Sequence, residues 1–124
     1  MSISQGQVNK LISSINKKIQ KKGISFVLTA HFALDRLNDL RNIPPIELSE
    51  LELILNNLIS NHIFDIAKLP NNASFNIKCK TSHINMPCVV NKTVSAGKSL
   101  HKNVIITVMR KSTFVAKDPT EFIV

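Results

Sequence analysis

Tryptophan and tyrosine are absent from this 124-residue chain, and it has only three glycines and two cysteines. With so little glycine there is no Gly-rich phosphate loop, and neither HExxH, a nucleophile elbow nor a paired-carboxylate motif occurs. Acidic residues number eight and lie mostly in helical patterns, which disfavours a two-metal centre and metal-dependent hydrolysis. Cys79 and Cys88 stand nine residues apart with no CxxC and no histidine run beside them, so a disulfide framework or zinc site is not expected. No cofactor motif is visible. No stretch approaches the roughly 20 apolar residues that would span a bilayer, and Lys10 interrupts the N-terminal apolar pattern, so neither a membrane span nor a signal peptide is read. A reducing cytoplasm is the expected compartment.

What is present is positive charge and a core. Sixteen Lys and Arg against eight Asp and Glu leave +8 at neutral pH, and apolar residues make up 44% of the chain, enough for one domain. A domain this basic attracts phosphate backbones, anionic membranes or acidic protein surfaces, and nucleic acid is the commonest such partner. AT-rich coding, which raises Lys, Asn and Ile together, accounts for part of that balance.

Periodicity predicts a single α+β domain, with about three N-terminal helices packed on an antiparallel sheet of three to four strands. Residues 1–23 read as a basic amphipathic helix: Val8, Leu11, Ile12, Ile15 and Ile19 form its apolar stripe, Ser4 and Gln7 a capping box, and Gly23 its stop. Its other face carries Lys10, Lys17, Lys18, Lys21 and Lys22, either a solvated face or a phosphate-contacting one. Residues 24–69 read as the helical part. After a short extended Ile24–Leu28, Thr29 caps a second helix running to about Asn42, with Ala33, Leu34, Leu37 and Leu40 inward, and Pro44-Pro45 end it. A third helix carries Leu48, Leu51, Ile54, Leu55, Leu58 and Ile59, and continues through Ile63 and Ile66. Residues 73–116 read as the sheet. Phe75, Ile77 and Cys79 alternate with Asn76, Lys78 and Lys80; Ile84 to Asn91 follows, with Pro87 pointing to an edge or bulge; and Val104 to Met109 reads as the central strand. The tail from Lys117 reads as extended.

The remaining polar residues are His, Arg, Lys and Thr, the set that a metal-independent ribonuclease needs: a base for the 2′-hydroxyl, cations for the phosphate and an acid for the leaving oxygen. His31, in the first turn of the second helix, suits a neutral general base, or bonds the chain end as a structural histidine. Arg36 and Arg41 either clamp a phosphate or pair with Asp35, Asp39 and Glu47. Arg110 and Lys111 close a buried strand, His83 sits in a turn as a possible second acid or base, and Thr107 has a hydroxyl for a phosphate. Lys78 and Lys80 add cations. His62 and His101 read as surface residues.

These residues form a pattern: His31-Phe32-x3-Arg36-x-Asn38-x2-Arg41-Asn42, Ile46, Glu50-Leu51, Asn85-x-Pro87, and Thr107-x-Met109-Arg110-Lys111-x2-Phe114 with Asp118-Pro119. It resembles a group of small uncharacterised tailed-bacteriophage proteins over Ala30 to Pro119. More remotely, the His-x4-Arg helix ahead of a small antiparallel sheet resembles the RelE/RegB-like ribonuclease superfamily. That resemblance implies metal-independent RNA cleavage, with His31 and Arg36 aligned and His83 or Arg110-Lys111 as second group. The C-terminal Tyr or His of the toxin members has no counterpart, because Phe114 and Phe122 do not titrate. Together these imply a phage-encoded protein directed at RNA, acting in the host cytoplasm or packaged in the virion. The alternative is a non-catalytic binding protein, either a virion component or an inhibitor of host machinery.

Overall fold

The capping box forms as the Ser4–Gln7 spacing predicts: the Gln7 N–H donates to Ser4 Oγ at 3.1 Å and the Ser4 N–H to Gln7 Oε1 at 2.8 Å. It opens α1, Gln5–Ile19, which buries Val8, Leu11, Ile15 and Ile19. The computed structural model describes residues 3–115 and 120–124, without the side chains of His31, Ala33, Leu34 and Ser95. A 3₁₀ turn, Gln20–Lys22, follows α1 and ends at Gly23. Gly23 takes φ +72°, and a Cβ there would meet the Ser99 carbonyl at 3.1 Å, so glycine is required twice over.

The next segment departs from the sequence reading. Ile24–Leu28 is β1, a member of the sheet, and the helix expected from Thr29 to Asn42 is only a six-residue π-helical segment, His31–Arg36. Thr29 does accept from the Phe32 N–H, at 3.1 Å, as a cap should. The helix stops because short polar side chains capture the backbone in its place. The Asn38 amide pairs with both the N–H and C=O of Ile3, Asp39 accepts from the Arg41 N–H, and Asn42 donates to the Arg36 carbonyl. Leu37 stays buried, but Leu40, expected inward, is 93% exposed. The last helix, α2, spans Leu48–Ala67 and buries Leu51, Ile54, Leu55, Leu58, Ile63 and Ile66, so the described residues hold two α-helices rather than about three.

The remaining strands are β2 (Ser74–Lys78), β3 (Ile84–Ser95), β4 (Lys98–Ile105), β5 (Met109–Arg110) and β6 (Thr120–Ile123). They build a six-stranded sheet in the order β1-β4-β3-β2-β6, with β5 beside β3. The β2-β3-β4 meander is antiparallel, but β1 runs parallel to β4 and β6 parallel to β2, so the sheet is mixed and not the antiparallel sheet of three to four strands expected. Strand residues also lie outside 73–116, in β1 and β6. Lys117 to Pro119 fall outside the described residues.

Pro87, expected at an edge or a bulge, lies in central β3. Its carbonyl accepts from the Ile106 N–H at 2.9 Å, which turns its missing donor towards the gap between β4 and β5, where no ladder bond is lost. The Val104–Met109 run breaks at that gap, with Ile106 41% exposed, and so is not the central strand. The helices cover one face of the sheet, on which Phe26, Phe75, Ile77, Met86 and Ile105 are buried. β1 is an edge strand, and Asn16 of α1 occupies part of that edge by bonding both the N–H and C=O of Phe26, at 2.8 and 3.0 Å. No helix among the described residues is long and apolar enough to cross a membrane.

Candidate functional site

β5 is short, but it divides two clefts. One, of about 500 Å³, takes Arg36, Asp39, Arg41, Thr107 and Lys111; the other, of about 660 Å³, takes Ile43, Leu53, Ser82 and His83; Arg110 and Lys111 line both. Arg110 forms the partition, and its side chain is only 8% exposed. Nε donates to the Pro44 carbonyl at 2.7 Å, and Nη1 to the Ser82 carbonyl at 2.7 Å and Glu50 Oε2 at 3.0 Å. Nη2 donates to the Pro45 carbonyl at 3.1 Å and Glu50 Oε1 at 2.5 Å. Arginine has five N–H donors and all five are used here, which leaves none for a phosphate. The expectation of Arg110 as a phosphate or catalytic group is therefore corrected: it is a strut between β5, the 44–45 segment, α2 and the turn before β3. Arg110 holds the Glu50 carboxyl below its ordinary pKa, the charge-assisted hydrogen bond outweighing partial burial.

Asn42 completes the strut. Buried, it accepts the Arg110 N–H at 2.9 Å through Oδ1 and donates to the Arg36 carbonyl at 3.0 Å, tying the loop that carries Arg36 and Arg41 to β5. In the smaller cleft the Arg36 and Arg41 side chains are 38% and 76% exposed, and both face Asp39, at 3.8 and 2.8 Å. Hydrogen bonds from the Arg41 side chain and N–H hold the Asp39 carboxyl down at about 2. Asp39 is thus the anion that a phosphate would displace or extend. Thr107 is half-buried and Lys111 exposed in the same cleft. The backbone of His31 opens the segment that ends at Arg36, and its side chain is outside the described ones.

The larger cleft is bounded by the turn from Cys79 to His83. The His83 N–H returns to the Cys79 carbonyl at 3.0 Å, and exposed His83 adopts φ +62°. Burial raises the pKa of the Cys79 thiol, but the hydroxyls and backbone N–H groups of Ser82 and Thr81 lower it further, so it lies below the ordinary thiol value. The Ser82 hydroxyl is near enough to the sulfur to favour its anion, yet it is buried and reaches hydrogen-bonding geometry with no partner. Cys79 and Cys88 form no disulfide. No group of three or more His, Cys, Asp or Glu able to hold a metal occurs among the described residues.

The sheet separates the expected cations into two sets. Lys78 and Lys80 lie at the end where β2 finishes, with His83, Lys111 and the arginines. Lys17, Lys18, Lys21 and Lys22 lead instead to the opposite end, where β1 starts and pairs with the β3–β4 hairpin. There Lys18 donates to Asn56, Lys22 stands 5.0 Å over the Phe64 ring, and Lys92 and Lys102 pair in register with His101 and Asn91. One site does not unite these two sets.

Two histidines read as surface residues are engaged. His62 bonds the Ile123 carbonyl at 2.9 Å and stacks on Phe122. His101 is 7% exposed and bonds Asn103 at 2.8 Å; burial lowers its pKa, so it is a neutral core residue. Sequence reasoning missed Asn42, Glu50, Cys79 and Ser82. Only the first two had a signal, as members of the recurrent pattern around Arg36 and Glu50-Leu51. No protein-family model, curated protein or solved structure matches this chain.

Proposed function

We propose that this chain binds RNA at the β5 end of its sheet and cleaves it without a metal ion. The observation that carries the reading is the convergence of Arg36, Arg41, Thr107 and Lys111 from separate segments on one cleft of about 500 Å³. Exposed guanidinium groups, an ammonium and a hydroxyl are donors for a phosphodiester, and the +8 charge draws the polyanion to them. In the reaction the RNA 2′-oxygen attacks the adjacent phosphorus and the bond to the 5′-oxygen breaks. His31 takes the 2′-proton, Arg36 and Arg41 hold the phosphoryl oxygens, and Lys111 returns a proton to the leaving oxygen. His83, across β5, assists from the other cleft. Arg110 acts only by holding Lys111 in place.

The test is incubation of wild type and His31→Ala with labelled single-stranded RNA in EDTA, with products resolved on a gel and binding followed by mobility shift. Wild type is expected to leave 2′,3′-cyclic phosphate ends, and the variant to lose about 10²–10⁴-fold in rate while still binding. Binding without cleavage by either protein would leave a non-catalytic RNA-binding module; absence of both would overturn the proposal.

Asp39 supplies an independent check. Asp39→Asn removes the anion that holds Arg41, so RNA affinity is expected to rise several-fold and the salt dependence of binding to steepen by about 0.7 in log–log slope. Fluorescence anisotropy with labelled RNA across a salt series measures both. An unchanged slope would show that Arg41 does not contact the backbone.

A further inference from the structure

We infer that the cleft of about 660 Å³ on the far side of β5 is a base-recognition subsite, which receives the nucleobase adjoining the phosphate bound in the smaller cleft. This rests on the RNA reading and adds to it the group that sets sequence preference. The cleft's volume falls in the ordinary range for ligand sites, about 300–1,000 Å³. Its chemistry differs from that of its neighbour. The charges beneath it cancel, because Arg110 spends every N–H on Glu50 and on three carbonyls. Lys111, shared with the smaller cleft, is the one Lys or Arg of its lining besides the spent Arg110, so the floor favours an uncharged ring over a second phosphate.

One wall is apolar: Ile43 and Leu53 are 79% and 63% exposed, with Pro44 between them and the partition. The facing wall is the polar turn with Thr81, Ser82 and His83. An apolar wall opposite hydrogen-bonding groups fits a base, which offers a π face and a donor–acceptor edge. The Thr81 hydroxyl, on an exposed residue of that turn, is the group placed to read that edge, whereas the Ser82 hydroxyl is shielded beside the Cys79 sulfur. Lys111 lines both clefts, so a strand with its phosphate beside Arg36 and Arg41 passes over β5 and delivers the next base here.

The test follows backbone amide shifts of the ¹⁵N-labelled chain titrated with inorganic phosphate and with each of the four nucleoside 3′-monophosphates. Phosphate is expected to move Arg36, Arg41, Thr107 and Lys111 only. The nucleotides should also move Leu53, Thr81, Ser82 and His83, with affinities that differ about tenfold between the best and worst base, the worth of one good hydrogen bond. Thr81→Val should reduce that difference to less than about threefold and leave the phosphate response intact. If nucleotides and phosphate move the same residues, the subsite is refuted and the phosphate cleft stands. If neither moves the Arg36 cleft, the RNA reading fails first and takes the subsite with it.

Discussion

Replacing Arg110 with Met is expected to cost about 3–5 kcal/mol of stability and to lower the melting temperature by more than about 10 °C. Methionine keeps the unbranched stem but ends about where Nε lies, so the loss combines the hydrogen bonds with the vacated guanidinium site. It leaves the Glu50 carboxylate with only the Glu47 N–H and removes the donors of the Pro44, Pro45 and Ser82 carbonyls in a place where the arginine side chain was 8% exposed. Arg110→Lys keeps the charge but not the fork, and should fall between wild type and Met. The pH dependence has a definite sign. Glu50 has a folded pKa depressed below its ordinary 4.5, so its contribution is present above that value and is lost as pH falls through the lowered one. Thermal melts from pH 3 to 7 should therefore show wild type losing part of its stability at the acid end. In Arg110→Met that slope disappears or reverses, because a part-buried carboxylate without its partner gains from protonation. A variant as stable as wild type, with an unchanged acid limb, would show that the strut is not structural.

Asn42→Ala is the second large effect, expected at about 2–4 kcal/mol by urea unfolding. One buried amide serves two segments, accepting from the Arg110 N–H and donating to the Arg36 carbonyl; alanine leaves the Arg110 N–H without that acceptor and the Arg36 carbonyl with only the Asp39 N–H, at 3.2 Å. Asn42→Asp retains the acceptor and loses the donor, so it should recover only part of the loss. Since Asn42 sits between Arg36 and β5, the variant should also weaken RNA binding even at temperatures where it remains folded. A cost below about 0.5 kcal/mol would mean that the 37–46 segment is held by other contacts.

Elements defined by local period were legible in the sequence. The Val8–Ile19 stripe and the Leu48–Ile66 stripe became α1 and α2, and the alternation from Phe75 and the run from Ile84 became β2 and β3, whereas β4 starts at Lys98, ahead of the Val104–Met109 run read as a strand. What was not legible depends on partners distant in the chain. Ile24–Leu28 looks like a bare extended segment, because nothing in five residues announces that residues 101–105 will lie parallel to it. The second helix failed for a different reason: Asn38, Asp39 and Asn42 fit a helical polar face as well as they fit the turns they make. Of the site, the arginine and lysine types were readable from the chain. Whether each cation faces solvent or a ring of carbonyls was not, and Arg110 and Arg36, alike in sequence, end with side chains 8% and 38% exposed.

The parallel pairing of β1 with β4 also constrains the order in which the chain can assemble. The Asn103 amide reaches the Ser25 carbonyl across 78 positions, so β1 has no sheet neighbour until most of the polypeptide has left the ribosome. During that interval Ile24 and Phe26 would be open to wrong contacts. The clasp from Asn16 spans only ten positions and can close as soon as α1 and β1 exist, so the early hairpin of helix and strand carries its own temporary cover while it waits for β4.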